Sequence, residues 1–148
     1  MKEPAQFLSG EEKERVLNAI THAESITTGI IRVRVEKKSG KDPLAKARQV
    51  FADMGLKASD ERNNVLFFVS VADRRFAVFG DDGVNSKVPE GFWEMVVNAV
   101  TDRFEDGEYG IGLSGGVSLV AGKLAEFFPA EKEPAPADPS FISYEDKK

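Results

Sequence analysis

The sequence contains no cysteine and a single histidine, His22. The lack of cysteine excludes disulfide bonds, thiolate metal sites and a cysteine nucleophile. One imidazole is also too few for a zinc site built from several histidines. Any metal ion bound by this chain is therefore a hard cation with oxygen ligands, such as Ca²⁺ or Mg²⁺.

Positive charge and long apolar segments are scarce as well. The chain has 20 Lys and Arg residues against 25 Asp and Glu, a formal net charge of −5 and an isoelectric point near 5.0. Nucleic-acid binding needs clustered positive charge to neutralise phosphates, so we expect no nucleic-acid partner. Residues 1–6 lack the apolar core of a signal peptide, and no apolar run reaches the roughly 20 residues of a membrane-spanning helix. We expect a soluble, cytoplasmic protein that does not insert into membranes.

The length of 148 residues is that of one ordinary domain. Residues 1–8 form a short lead, residues 9–129 carry the periodic apolar pattern of a single domain, and residues 130–148 are rich in Pro, Ala and charged residues. That composition predicts a disordered or extended tail, as chain ends often are. Phe141 and Tyr144 leave open that the tail anchors to the domain or to a partner.

A pair of β-strands lies at the centre of the predicted fold. Residues 65–71 are mostly β-branched or aromatic, with Ser70 as the polar member, which indicates a strand buried on both faces. Residues 75–79 resume a β-rich run after a polar break, which predicts a tight hairpin.

One more strand and several helices complete the prediction. Ser9 and Glu12 have the spacing of a capping box, and Asp42 followed by Pro43 is typical of a second helix start. Apolar residues at spacings of three and four predict helices over residues 10–25, 43–54, 89–104 and 113–128. Residues 30–36 alternate between apolar and charged side chains and form a strand between the first two helices.

These elements predict an α/β (α+β) fold with a small mixed β-sheet of three or four strands. The sheet contains a βαβ unit and the central hairpin, and about four helices cover both of its faces. The right-handed crossover makes the strand at residues 30–36 parallel to the strand at residues 65–71.

This topology brings polar side chains to one edge of the sheet. The end of the second hairpin strand lies beside the start of the first, and the parallel strand begins at the same edge. Oxygen atoms of Asp, Asn and Thr are ligands that Ca²⁺ or Mg²⁺ can use. The candidate ligands are Asp81, Asp82, Glu24, Asn63, Asn64 and Thr28. The alternative is that Asp and Asn beside glycine only form turns.

Two other motifs carry weaker functional signals. Arg62 could contact a phosphate or another anion beside the cation, although an ion pair with Asp81 or Asp82 is the favoured interpretation. The acidic loop over residues 105–108 could bind calcium weakly, but a solvated helix-ending turn is favoured.

An ordered set of motifs resembles the TPM domain family, over about residues 8–129. The matching motifs are Arg62-Asn63-Asn64-Val65, Val71-Ala72-Asp73-Arg74-Arg75, Gly80-Asp81-Asp82-Gly83-Val84, Val88-Pro89 with Trp93, Phe104 with Gly107 and Tyr109, and Phe128-Pro129. The resemblance is to the short, stand-alone bacterial type without a signal peptide, and it implies a mixed sheet with helices on both faces. Some plant members are described as acid phosphatases and other members as divalent-cation-binding modules. Ile30 stands where relatives often have glutamate, which removes one family carboxylate.

Three functions remain open at this point. The first is a Ca²⁺- or Mg²⁺-binding accessory or regulatory module without strong catalysis. The second is a metal-assisted acid phosphatase that hydrolyses phosphomonoesters, in which Arg62 steadies the developing charge. The third is a protein-interaction module that uses residues 141–144 of the tail as its peptide contact.

Overall fold

The computed structural model describes residues 3–56, 60–130 and 137–145. Its strands are β1 (Ile31–Glu36), β2 (Val65–Ser70), β3 (Arg75–Gly80) and β4 (Ile142–Tyr144), which form one sheet in the order β3-β2-β1-β4. Strands β1 and β2 are parallel, and β2 and β3 are antiparallel. The predicted fold class, the parallel pair and the central hairpin are confirmed.

The described residues form five α-helices and two short 3₁₀ helices. The α-helices are α1 (Gly10–Ile26), α2 (Pro43–Met54), α3 (Asp82–Asn85), α4 (Phe92–Glu105) and α5 (Tyr109–Phe127), and the 3₁₀ helices are Pro4–Gln6 and Pro139–Phe141. The four longer α-helices match the four predicted from the apolar spacing, whereas α3 was not predicted. Within the described ranges, none of the helices combines the length and the apolar character needed to cross a membrane.

Helix α5 begins at Tyr109, four residues before the predicted start. The prediction left Gly110 and Gly112 outside the helix, but close packing requires glycine at both positions. A Cβ atom at Gly110 would lie 2.7 Å from the Cβ of Glu12, and one at Gly112 would lie 3.0 Å from the Cβ of Arg103. Glu12 Oε2 also accepts a hydrogen bond of 2.8 Å from the Gly110 amide. Close contact with α1 and α4 thus outweighs the low helix propensity of glycine.

The helix starts use the predicted caps. The Ser9 hydroxyl accepts a hydrogen bond of 3.1 Å from the Glu12 amide, and Glu12 Oε1 accepts one of 2.9 Å from the Ser9 amide. Asp42 Oδ1 accepts a hydrogen bond of 3.1 Å from the Ala45 amide at the start of α2. These contacts satisfy amides that have no partner inside the helix.

The sheet separates two apolar layers of unequal size. Helices α1, α4 and α5 pack on one face, where Val33, Phe67 and Val117 belong to the larger core. Helix α2 covers the other face, where its Val50 packs against Phe68 of β2. Every residue of β2 is buried, as its apolar composition predicted.

Residues 137–145 of the tail lie within the described part of the chain, and they pack on the domain. Residues 142–144 add β4 to the free edge of β1, in parallel, with Ile142 opposite Val33. Phe141 is 5% exposed, and the Arg32 guanidinium lies 4.1 Å from the centre of its ring. Residues 141–144 therefore dock on the domain, which is the alternative that Phe141 and Tyr144 left open. Residues 131–136 and 146–148 of the predicted tail lie outside the described residues.

The turn of the hairpin is tied to the loop that follows β1. Asp73 Oδ2 accepts hydrogen bonds from the Ser39 amide at 2.8 Å, the Ser70 hydroxyl at 2.8 Å and the Ser39 hydroxyl at 3.1 Å. These donors, with the Ser39 amide as the largest contributor, lower the pKa of Asp73 below its ordinary value. The ionised carboxylate thus connects two loops at one end of the sheet.

Docking of the tail predicts that Phe141→Ala destabilises the protein by about 2–4 kcal/mol, because the ring leaves a buried pocket. Urea unfolding followed by circular dichroism measures this change. The exposed neighbour Ser140 is the matched control, and Ser140→Ala should alter stability by less than about 0.5 kcal/mol. An unchanged urea midpoint for Phe141→Ala would contradict the docked tail.

The lowered pKa of Asp73 predicts a pH-dependent contribution to folding. An acid with a lower pKa in the folded state stabilises that state fully above its unfolded pKa, about 3.9, and loses the contribution as the pH falls through the folded pKa. The stability difference between wild type and Asp73→Asn should therefore be constant near neutral pH and shrink below about pH 4.

Urea titrations of both proteins over this pH range test the prediction. Asp102, exposed on α4, provides a control variant, Asp102→Asn, at a carboxylate without a hydrogen bond among the described residues. A difference between wild type and Asp73→Asn that does not change with pH would show that the ionised form of Asp73 is not stabilised by folding.

Candidate functional site

Three chain segments meet where β2 begins, and we call residues 27–30, 60–64 and 80–83 the rim. The Val65 amide donates to the Ile30 carbonyl at 2.8 Å, and the Asp81 amide donates to the Asn64 carbonyl at 2.9 Å. The register places Val65 opposite both Ile31 of β1 and Gly80 of β3. The predicted convergence of these segments is therefore present in the backbone.

Thr28 and Asn63 are in direct contact on one side of the rim. The Asn63 amide group donates a hydrogen bond of 3.0 Å to the Thr28 hydroxyl, which donates one of 3.4 Å to Glu61 Oε1. Gly29 permits this approach, since a Cβ atom there would lie 2.8 Å from the Asn63 carbonyl oxygen. Thr28 and Asn63, two predicted ligands, are thus brought together, and Glu61 joins them.

The end of α5 holds this side of the rim in place. The Thr27 hydroxyl donates a hydrogen bond of 2.6 Å to the Phe128 carbonyl, and the Thr28 amide donates one of 3.1 Å to the same oxygen. Thr27 is buried, so these bonds are shielded from water. The position of Thr28 is therefore fixed by a helix that lies far from it in the sequence.

Asp81 and Asp82 lie at the other side of the rim. Asp81 is the N-cap of α3, and its Oδ1 accepts a hydrogen bond of 3.0 Å from the Asp82 amide. Asp82 is exposed in the first turn of α3. One carboxylate thus caps the helix while the other faces solvent.

Glycine allows α3 to pack directly on the segment before β2. A Cβ atom at Gly83 would overlap the carbonyl oxygen of Glu61 and would lie 2.6 Å from that of Arg62. The first turn of α3 therefore rests against two main-chain carbonyl groups. Only glycine fits this position without movement of the backbone.

Trp93 packs against the end of β3 and is hydrogen-bonded to it through Asn85. Trp93 Nε1 donates a hydrogen bond of 2.8 Å to Asn85 Oδ1, and Asn85 Nδ2 donates one of 2.8 Å to the Gly80 carbonyl. A Cβ atom at Gly80 would overlap the Trp93 ring, so the indole packs on the backbone of that residue. Trp93 thus positions the residue that precedes Asp81, in addition to packing against the larger core.

Glu24 does not join the other predicted ligands. Its Oε1 forms an ion pair of 3.5 Å with Arg32, which stacks on Phe141 of the tail. Burial lowers the pKa of Arg32, and the neighbouring Glu24 carboxylate opposes that shift. Within the described residues, Glu24 makes no hydrogen bond to the rim. Its carboxylate compensates a half-buried arginine at the β4 side of the sheet.

Arg62 is exposed and has a left-handed backbone conformation, with φ of 50°. Across the described ranges it forms no ion pair with Asp81 or Asp82, contrary to the favoured interpretation. Its backbone carbonyl faces Gly83 instead. Arg62 therefore contributes its main-chain carbonyl oxygen to the rim.

The sequence analysis missed two kinds of possible oxygen ligand at the rim, the Glu61 carboxylate and the main-chain carbonyls of Glu61 and Arg62. Glu61 immediately precedes the Arg62-Asn63-Asn64 motif, and its acidic side chain next to that motif was an available signal. The main-chain carbonyls of Glu61 and Arg62 had no such signal, because their placement depends on the contact with α3. In the part of the chain that the structure describes, no group of three or more His, Asp or Glu side chains is arranged to hold a metal ion. Any cation at the rim must draw on hydroxyl, carbonyl and water oxygens as well as carboxylates.

Comparisons with known proteins identify a family and two similar folds. The family model described as the TPM domain matches residues 1–123. None of the curated proteins matches the chain.

Two solved structures are similar to this one. The NMR structure of the BA42 protein from the psychrophilic bacterium Bizionia argentinensis has a TM-score of 0.84 and 34% sequence identity, and the match covers 98% of this chain and 100% of that one. The solution NMR structure of the N-terminal domain of a P. gingivalis protein has a TM-score of 0.66 and 23% identity, with 85% and 82% coverage, and is similar in fold. Since the family match extends over most of the sequence and the fold agrees with it, this protein belongs to the TPM domain family.

Proposed function

We propose that the rim binds a hard divalent cation, Ca²⁺ or Mg²⁺, and that the protein acts as a cation-responsive accessory or regulatory module. The observation that carries this proposal is the close packing of α3 on the segment before β2. It brings the Asp81 and Asp82 region against the Glu61 and Arg62 carbonyls. Such a mixture of carboxylate and neutral oxygens suits a hard cation.

The donor set favours a weak and adaptable site. Ca²⁺ takes six to eight oxygen ligands at about 2.3–2.6 Å, in flexible geometry. Asp81, Asp82 and Glu61 offer carboxylates, while Thr28 and the main-chain carbonyls offer neutral oxygens. Few charged ligands and exposed side chains are typical of dissociation constants of about 10⁻⁴–10⁻³ M.

Metal-assisted hydrolysis of phosphomonoesters has less support. The rim contains no histidine, serine or cysteine, so its carboxylates and threonine hydroxyls are the side chains available as nucleophile or acid, and no imidazole is there to activate a hydroxyl. The same carboxylates are needed to hold the cation. Arg62 could contact a phosphate from its exposed position, but a binding role for the rim requires no further group.

Saturating cation should stabilise the folded protein. A ligand at about 100 times its dissociation constant adds about 2.7 kcal/mol if it binds only the folded state, or roughly 5–10 °C in melting temperature for a chain of this size. The double variant Asp81→Asn, Asp82→Asn should lose most of this response. Asparagine retains the N-cap at position 81, so the variant is expected to stay folded.

Melting temperatures in CaCl₂ and MgCl₂ series, with NaCl at matched ionic strength, measure the response. The control is Asp102→Asn with Glu14→Gln, which removes the same charge at exposed positions of α4 and α1, away from the rim. Equal cation responses in both double variants, or no response in wild type, would exclude the rim as the site. Backbone amide shifts during the titration should concentrate in residues 60–64 and 80–83.

A methyl group at position 83 should weaken cation binding by moving α3 away from the carbonyls of Glu61 and Arg62. We expect Gly83→Ala to destabilise the protein by about 1–3 kcal/mol and to raise the dissociation constant for Ca²⁺ by about tenfold. Calcium titration followed by NMR measures the second effect. Gly115 of α5 has open space around its Cα, so Gly115→Ala should stabilise the helix by about 0.5–1 kcal/mol and leave calcium binding unchanged. Wild-type affinity in a folded Gly83→Ala variant would contradict the role of the packed carbonyls.

A further inference from the structure

An open groove lies at the opposite end of the sheet from the rim, between the hairpin turn and the junction of α4 with α5. Its volume is about 990 Å³. The hairpin contributes Arg74 and Arg75, and the helix junction contributes Glu105, Asp106 and Tyr109. Its size is near the upper end of the roughly 300–1,000 Å³ typical of ligand sites.

Aromatic rings form the apolar surface of the groove. The Phe7 and Tyr109 rings are 4.6 Å apart, and Phe104 lies 5.7 Å from Phe7 and 5.3 Å from Tyr109, measured between ring centres. Phe104 also contacts Phe76 of β3 at 5.9 Å, which connects the groove to the core. Phe104 and Tyr109 are partly exposed, so the groove offers a rigid surface for an apolar side chain.

The hairpin margin of the groove is positively charged. Arg75 donates a hydrogen bond of 3.2 Å to the Lys41 carbonyl, which holds its guanidinium beside the loop after β1. Arg74 is exposed, with φ of 54°, and forms no ion pair within the described ranges. The nearby Asp73 carboxylate is hydrogen-bonded to Ser39 and Ser70. The charge of Arg74 is thus available to a bound partner.

The helix margin carries the opposite charge. Glu105 and Asp106 are exposed at the C-terminal end of α4, where the helix dipole adds negative potential. Arg103 pairs with Glu108 at 3.1 Å, and among the described residues neither Glu105 nor Asp106 has an ion-pair partner. The acidic loop seen in the sequence therefore forms one wall of the groove.

We propose that this groove binds an extended peptide segment of a partner protein, with an apolar side chain between an acidic and a basic residue. The apolar side chain packs on Phe104 and Tyr109, the acidic residue pairs with Arg74, and the basic residue pairs with Glu105 or Asp106. Charge complementarity favours this occupant over an anionic membrane or a nucleic acid, because the acidic margin repels a uniformly negative surface. The groove and the rim are at opposite ends of the sheet, so this site is independent of the proposed cation site.

Selection of random short peptides displayed on phage, with the full chain as bait and no divalent cation in the buffer, tests the proposal. The selected peptides should share an apolar residue between residues of opposite charge. One of them, synthesised with a fluorescent label, then serves as the probe for anisotropy titrations. Arg74→Glu should weaken its binding by about tenfold or more.

Two comparisons separate charge pairing from a general effect of the substitution. Lys87 is exposed after α3, near the rim, so Lys87→Glu makes the same charge change away from the groove and should leave binding unchanged. The same peptide with its acidic residue replaced by lysine should bind Arg74→Glu better than wild type. Amide shifts on peptide addition should map to the groove.

Three results would overturn the proposal. They are a selection that enriches no peptides or peptides without this charge pattern, equal affinity for Arg74→Glu and wild type, and amide shifts outside the groove. Binding to phosphatidylserine vesicles that Arg74→Glu abolishes, without peptide binding, would assign the groove to a lipid surface instead.

Discussion

Strand β2 is covered on both faces and paired along both edges, and the rest of the structure depends on this constraint. All of its residues are buried, with Phe67 in the larger core and Phe68 in the core under α2. Fully burying such a side chain contributes about 1.5–3 kcal/mol. Register shifts are therefore costly, since a slip by one residue would exchange the two faces. The ends of β1 and β3 are consequently held at fixed positions relative to β2.

Because β1 and β3 are held in register with β2, different side chains gather at the two ends of the sheet. At the start of β2, the parallel and antiparallel neighbours bring Thr28 and Asp81 to either side of residues 63–64. At its other end, the hairpin turn presents Arg74 beside the C-terminal end of α4. Acidic and oxygen-rich groups thus collect at one end, and a groove with margins of opposite charge collects at the other. The two surfaces therefore lie at opposite ends of one buried strand.

One edge of the predicted sheet, the free edge of β1, is covered by the C-terminal strand β4. The tail adds β4 to β1 through three residue pairs, and it adds the contact between Phe141 and Arg32. This strand covers an edge that would otherwise expose unpaired backbone groups. It also explains why Glu24 is absent from the rim, because the arginine that stacks on the tail takes the carboxylate as its partner.

Much of the architecture followed from patterns in the sequence alone. The run at residues 65–71 predicted a doubly buried strand, the capping residues Ser9 and Asp42 predicted helix starts, and the hairpin and parallel pair followed from connection rules. These features are local or topological, so short windows of sequence contain them. The convergence of Thr28, Asn63, Asn64 and Asp81 followed in turn from the strand register.

Tertiary structure decided what local patterns could not express. Gly110 and Gly112 lie within α5 because α1 and α4 pack closely against them, and residues 142–144 form a strand because they pair with the edge of β1. Glu24 is paired with Arg32, whereas the Glu61 and Arg62 carbonyls lie beside α3 through the contact at Gly83. The sequence by itself determined the four longer helices, the three strands of the predicted sheet and the pairing of β2, because periodicity and capping act over a few residues. Only the tertiary structure decided which side chains and carbonyls share a surface, because those contacts join residues far apart in the chain.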